Sequence, residues 1–155
     1  VKVIGLLFMY ICSFYLYAHG GVEHDLSDIK TSESKEKNKL INELYVKNVK
    51  AIFKKACFDC HSSQTVYPSY YNLPLIKELI DKDIKDAKWH LVLDGDYPFR
   101  GHGSKLDDLS AIERNLDSSE MPPLRYRIFN SSSTLSKSEV ETVRKWINQA
   151  REILK

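Results

Sequence analysis

Five residues limit what this chain can become more than any others: Cys57-Phe58-Asp59-Cys60-His61. Two thiols three positions apart on a helical turn face the same way, and the next residue can reach beneath whatever they hold. This is the C-x-x-C-H pattern that fixes a porphyrin covalently, one thiol to each vinyl group, with the histidine as an axial ligand to iron. At this chain's cysteine and histidine content the pattern arises by chance about two times in a thousand. Other chemistries explain it less completely. A zinc site needs two further ligands, and His19, His24, His90 and His102 form no second paired motif. A thioredoxin-like pair asks for a βαβ setting, and a plain disulfide leaves His61 as a coincidence.

Covalent haem of this kind is assembled outside the cytoplasm, and the start of the chain agrees with that. Lys2 is followed by an uncharged run over residues 3–17, which includes the third cysteine, Cys12, and then by Ala18. A basic start, an apolar centre and a small residue are the parts of a secretory signal, and the run falls short of the ~20 residues a spanning helix needs. Residues 1–18 are therefore read as a signal peptide, with an uncleaved anchor as the alternative. Residues 19–34, polar and mixed, read as a linker, and residues 35–155 as the haem-binding domain. A chain of 155 residues suits one such domain.

The periodicity is helical throughout. Ser34 is a candidate cap for a helix carrying Leu40, Ile41, Leu44, Val49, Ile52, Phe53 and Ala56, which runs directly into Cys57. Pro74 suits the first position of a second helix, with Leu75, Ile76, Leu79, Ile80, Ile84, Ala87 and Leu91 on one face. Glycines mark residues 94–103 as a loop, and Leu106, Leu109, Ile112 and Leu116 mark a shorter helix. Pro122 and Pro123 exclude a regular helix through themselves. The last helix starts at Ser136, whose capping box is completed by Glu139, and buries Val140, Val143, Trp146, Ile147, Ala150, Ile153 and Leu154. The fold expected is all-α.

An electron carrier needs a second axial ligand on its iron. Met121 is the leading candidate, because it sits in a proline-stiffened segment and the other methionine, Met9, belongs to the export segment. His90 and His102 are the rivals, and an uncoordinated distal side would leave the iron open to small ligands.

These residues together resemble the haem-binding domain family of single-haem c-type cytochromes. The resemblance is carried by residues 56–62, then Thr65, Pro68, His90-Leu91, Glu120-Met121-Pro122-Pro123 and Leu135-Ser136, and covers roughly residues 45–154. Where the family usually has Trp before the first proline, this chain has Tyr67. The resemblance implies a cytochrome-c-like helical fold around one haem c per chain, with Cys57 and Cys60 attaching it, His61 proximal and Met121 distal.

The expectation is a periplasmic electron carrier with no catalytic residue of its own. The alternatives are a haem-based sensor or peroxidase-like enzyme with an open distal site, for which His90, Arg100, Arg125 and Arg127 are donors by type, or a haem subunit of a larger redox complex. Tyr67, Tyr70, Tyr71, Trp89 and Trp146 read as packing residues, with tyrosine hydroxyls available to a haem propionate. Lys35, Lys37, Lys39, Lys47, Lys50, Lys54 and Lys55 outnumber Glu36 and Glu43 ahead of the motif, which suits acidic-faced redox partners. A net charge of +2 gives no support to nucleic-acid binding, and membrane contact is expected only through an uncleaved N-terminal segment.

Overall fold

The computed structural model describes residues 26–155. The expected signal peptide, Met9, Cys12, His19, His24 and the opening of the linker lie outside the described residues. The chain divides into a unit ending at Ser32 and a body spanning Glu33–Lys155. Of the first unit the described part is the beginning of α1, and the following concerns the body.

No glycine or proline occurs between Gly21 and Pro68, so nothing in the sequence interrupts a helix there. Three helices follow almost without a break: α1 (Leu26–Asn48), α2 (Lys50–Ala56) and α3 (Phe58–His61). Helical hydrogen bonds bridge both joints, from Val49 N to the Tyr45 carbonyl at 2.8 Å and from Cys57 N to the Phe53 carbonyl at 2.8 Å. The expected run of helix into Cys57 is thus present, but it starts at Leu26 and passes through Ser34 instead of being capped by it. Good helix formers surround that serine, and the Glu33–Lys37 pair at 2.8 Å spans it on one face.

The second long helix, α4, covers Ile76–His90. Pro74 is not its first residue: Leu75 takes a positive φ of 66°, which breaks the helical path, and Pro74 belongs to the turn before it. Nor does the helix reach Leu91. Leu91–Val92 (β1) pairs antiparallel with Arg100–Gly101 (β2), Leu91 opposite Gly101, so the glycine loop is a short hairpin. Gly101 is required there, because an added Cβ would lie 2.2 Å from the buried Asp108 carboxylate.

Helix α5 (Lys105–Ser118) opens on a capping box between Ser104 and Asp107. The prolines do stop a helix, yet Pro123 also caps a new one, α6 (Leu124–Phe129), and a 3₁₀ turn follows at Ser131–Ser133. Helix α7 (Lys137–Leu154) begins with the expected Ser136/Glu139 capping box. The architecture is all-α apart from the two-residue strands. Among the described residues no helix is long and apolar enough to cross a membrane.

The core forms where α1 and α2 meet α7 and the hairpin. Ile41, Tyr45, Val49 and Phe53 recur at intervals of four and make one buried stripe, answered by Val143, Trp146, Ile147 and Ala150 of α7. Trp146 is its centre: its ring lies 5.6 Å from Tyr45 and 6.0 Å from both Tyr97 and Phe99, and its indole N–H donates to the Ile41 carbonyl at 3.3 Å.

Candidate functional site

The motif turn sits at the end of the long helical run and is fixed by hydrogen bonds on every side. Cys57 N and His61 N continue the helical pattern. The Ser62 hydroxyl, fully buried, donates to the Phe58 carbonyl at 2.8 Å and accepts from Gln64 N at 3.0 Å. Thr65 Oγ1 donates to the Asp59 carbonyl at 2.8 Å, and Ser63 N reaches the Asp94 carboxylate at 3.0 Å. The chain therefore turns sharply away after His61 and leaves the motif at a free edge.

Cys57 packs against the core, while Cys60 faces a cleft, and the two are not bonded to each other. Burial pushes the Cys57 thiol up to about 12 and the Cys60 thiol to about 11. Neither is the readily ionised nucleophile of a thiol-redox pair. His61 is half-buried. Burial lowers its pKa, and its Nδ1 lies 2.8 Å from the Leu91 carbonyl, the residue that ends α4. In the neutral ring Nδ1 donates to that carbonyl, which leaves the lone pair on Nε2 and fixes the ring's orientation, as metal-bound histidines are commonly held. A return bond from Leu93 N to the His61 carbonyl at 2.8 Å locks the two segments together.

The cleft beside the motif has three walls. One is the motif turn with residues 65–68; the second is α4, through Ile76, Leu79, Ile80 and Ile84; the third is α6, through Tyr126 and Phe129 with Pro123 ahead of it. It encloses about 710 Å³ of empty space including its open mouth, within the roughly 300–1,000 Å³ of cofactor sites. Its lining is mostly apolar and much of it is uncovered: Val66 is 74% exposed, Phe129 68% and Leu79 41%. A protein that leaves so much apolar surface open beside two thiols and an oriented imidazole fits a large flat apolar group carrying a metal. The residues present thus fit a haem.

The polar members of the cleft went unmarked in the sequence. Asp59 accepts a hydrogen bond from Tyr126 and another from Val66 N at 3.1 Å. Asp83 accepts two from Arg125, at 2.9 and 2.5 Å. No local pattern announces these pairs, whose partners stand 67 and 42 residues apart.

The candidate distal ligands do not line the cleft. Met121, 46% exposed, lies in the segment between α5 and α6, two residues ahead of the lining residue Pro123. The structure brings its segment to the rim and leaves its side chain outside. His90 and His102 stack on each other at 5.3 Å on the exposed end of α4 and the hairpin, with His102 Nδ1 3.2 Å from the His90 carbonyl. Among the described residues no group of three or more His, Cys, Asp or Glu side chains could hold a metal ion by itself. Tyr67 and Tyr70 line the cleft, whereas the Tyr71 hydroxyl donates to Asp81 at 2.6 Å. Trp89 is not a packing residue: it is 75% exposed, because Ile84 and Ala87 take the inner face of α4. Lys37, Lys50 and Lys55 are drawn into ion pairs with Glu33, Asp96 and Glu139.

The sequence model of the haem-binding domain family matches residues 19–149. The cytochrome c peroxidase Ccp of Escherichia coli (strain K12) is 28% identical over 162 aligned positions, which cover 97% of this chain and 32% of the relative. The chain therefore spans about a third of the length of that curated relative. No solved structure matches it.

Proposed function

This chain belongs to the haem-binding domain family, and from that membership we propose that it is an exported, single-haem c-type cytochrome that passes electrons between periplasmic or membrane partners. Cys57 and Cys60 would hold the haem through thioether links, His61 through Nε2, and Met121 from the opposite side. When bound, the haem supplies a one-electron couple, and a thioether ligand raises its potential. The chain's own residues do the rest. The Leu91 carbonyl orients His61, while Val66, Leu79, Ile80 and Phe129 exclude water from the ring faces. The observation that carries the reading is the oriented, half-buried His61 next to a Cys60 that faces an apolar cleft. Unpaired lysines on α1 and α2 favour acidic-faced partners through faster encounter.

The name of the bacterial relative supports a second reading, in which the chain works as the haem module of a peroxidase-type assembly or reacts with peroxide at an open distal site. Chemistry at such a site needs a free charge-stabilising donor. Arg125 is taken up by Asp83, Arg127 reaches the Ser119 carbonyl at 3.4 Å, and Arg100 lies at the surface near Asp94. That favours the carrier.

The test is an absorption spectrum of the protein made in a cytochrome-maturing host, with a denaturing gel stained for haem. A haem band that survives denaturation in the wild type and is lost in Cys57→Ala/Cys60→Ala supports covalent attachment. Wild type without covalent haem overturns the proposal. Fast peroxide turnover by the isolated chain would favour the second reading over the first.

A further inference from the structure

Helix α6 has six residues and not one buried side chain, so apolar burial does not explain where it sits. Polar links do. The Tyr126 hydroxyl donates to the Asp59 carboxylate, inside the C-x-x-C-H motif. One turn away the Arg125 guanidinium makes a two-pronged bond to Asp83 on α4. The helix is thereby tied to each of the other two walls of the cleft. Phe129 adds a ring contact to Tyr70 at 5.0 Å. Behind it, Arg127 Nη2 reaches the Ser119 carbonyl at 3.4 Å and closes the segment that contains Met121.

We propose that the Asp59–Tyr126 and Asp83–Arg125 pairs form a two-point latch that positions Met121 as the distal ligand of the haem. The inference rests on the carrier reading above and assigns Tyr126 and Arg125 as positioning residues, acting through the methionine and not on the iron. Both acceptors are themselves fixed. Asp59 is held by Val66 N at 3.1 Å, and Asp83 projects from a regular helix. The methionine segment is exposed and carries little apolar contact of its own, so without the latch it is free to swing out and the sixth position opens. Asp59 lies between the two cysteines, which makes the latch a link from the thiol-bearing turn to the ligand-bearing loop across the cleft.

The test uses full-length haem-loaded protein and two readings: the weak red band of the oxidised form that reports a thioether on iron, and the rate at which CO binds the reduced form. Met121→Ala should lose the band and bind CO rapidly. The double variant Tyr126→Phe/Asp83→Asn should keep covalent haem, weaken the band, and bind CO about tenfold faster than wild type as the open fraction grows. The swapped pair Asp83→Arg/Arg125→Asp, made with Tyr126 intact, should return the CO rate toward wild type relative to Asp83→Arg alone. An unchanged band and CO rate in the double variant, with both altered in Met121→Ala, would overturn the latch and leave the ligand assignment standing. A band that survives in Met121→Ala would overturn the ligand assignment and the latch with it. Should the double variant load no haem, the swap decides: failure to restore the rate counts against the latch.

Discussion

The two sides of this molecule are built by opposite rules. On the side where α1 and α2 meet α7, aromatic rings close on one another: Tyr45 and Trp146 are at most 1% exposed. On the cleft side, Val66, Leu79, Phe129 and, next to them, Leu75 stand open to solvent, and hydrogen bonds rather than burial hold the walls. Each buried large side chain contributes about 1.5–3 kcal/mol, and the cleft forgoes that contribution in the protein alone. The chain completes its own core but leaves the cleft for a haem to complete.

That contrast can be broken most forcefully at Trp146. Trp146→Ala should destabilise the protein by about 3–5 kcal/mol, read by denaturant unfolding, and should do so whether or not haem is attached. A loss that appears only in haem-loaded protein would mean the core is not self-sufficient. A smaller effect concerns the helix that carries Trp146. The Lys55 ammonium and the Ser136 amide hold Glu139 at about 2, below its ordinary 4.5. Because that pKa is depressed on folding, the contribution is complete above pH 4.5 and disappears as pH falls toward 2. With both side chains partly solvated it amounts to about 1 kcal/mol. Acid unfolding of Glu139→Gln should accordingly show a shallower pH dependence across this window; an unchanged profile would remove the pair from the account. The smallest effect sharpens the comparison. Phe129→Ala should alter the stability of a haem-free Cys57→Ala/Cys60→Ala chain by no more than about 0.5 kcal/mol, since the ring is already exposed. In haem-loaded protein the same change should cost measurably more, and equal costs in the two forms would deny that haem covers this wall.

The core side was largely legible in the sequence, and the cleft side only at its motif. The Ser136/Glu139 box and the apolar stripe of α7 are local, periodic signals, and both are found where they were expected. Tyr45 belongs to an equally regular stripe with Ile41, Val49 and Phe53, and only its hydroxyl disguised it as a surface residue. Ser34 failed as a helix start because a serine caps only where a chain enters a helix, and here the helix is already under way. The C-x-x-C-H turn announces its chemistry. Its polar supports, Asp94 for Ser63, Leu91 for His61 and Asp59 for Tyr126, join segments distant in sequence and leave no spacing to detect. Leu75 defeats the Pro74 rule for a similar reason, since a positive φ in a non-glycine residue has no local signature.

The bond from the Trp146 indole to the Ile41 carbonyl joins residues 105 apart, and it sets a clock on folding. Neither partner of the central pair can close until α7 has been synthesised, so the chain carries its aromatic stripe uncovered for most of its production. Throughout that interval the turn at Cys57–His61 stands on an unclosed chain, within reach of any chemistry that must act on its thiols. The late arrival of one tryptophan thereby sets how long the site stays accessible before the fold seals Cys57 against the core.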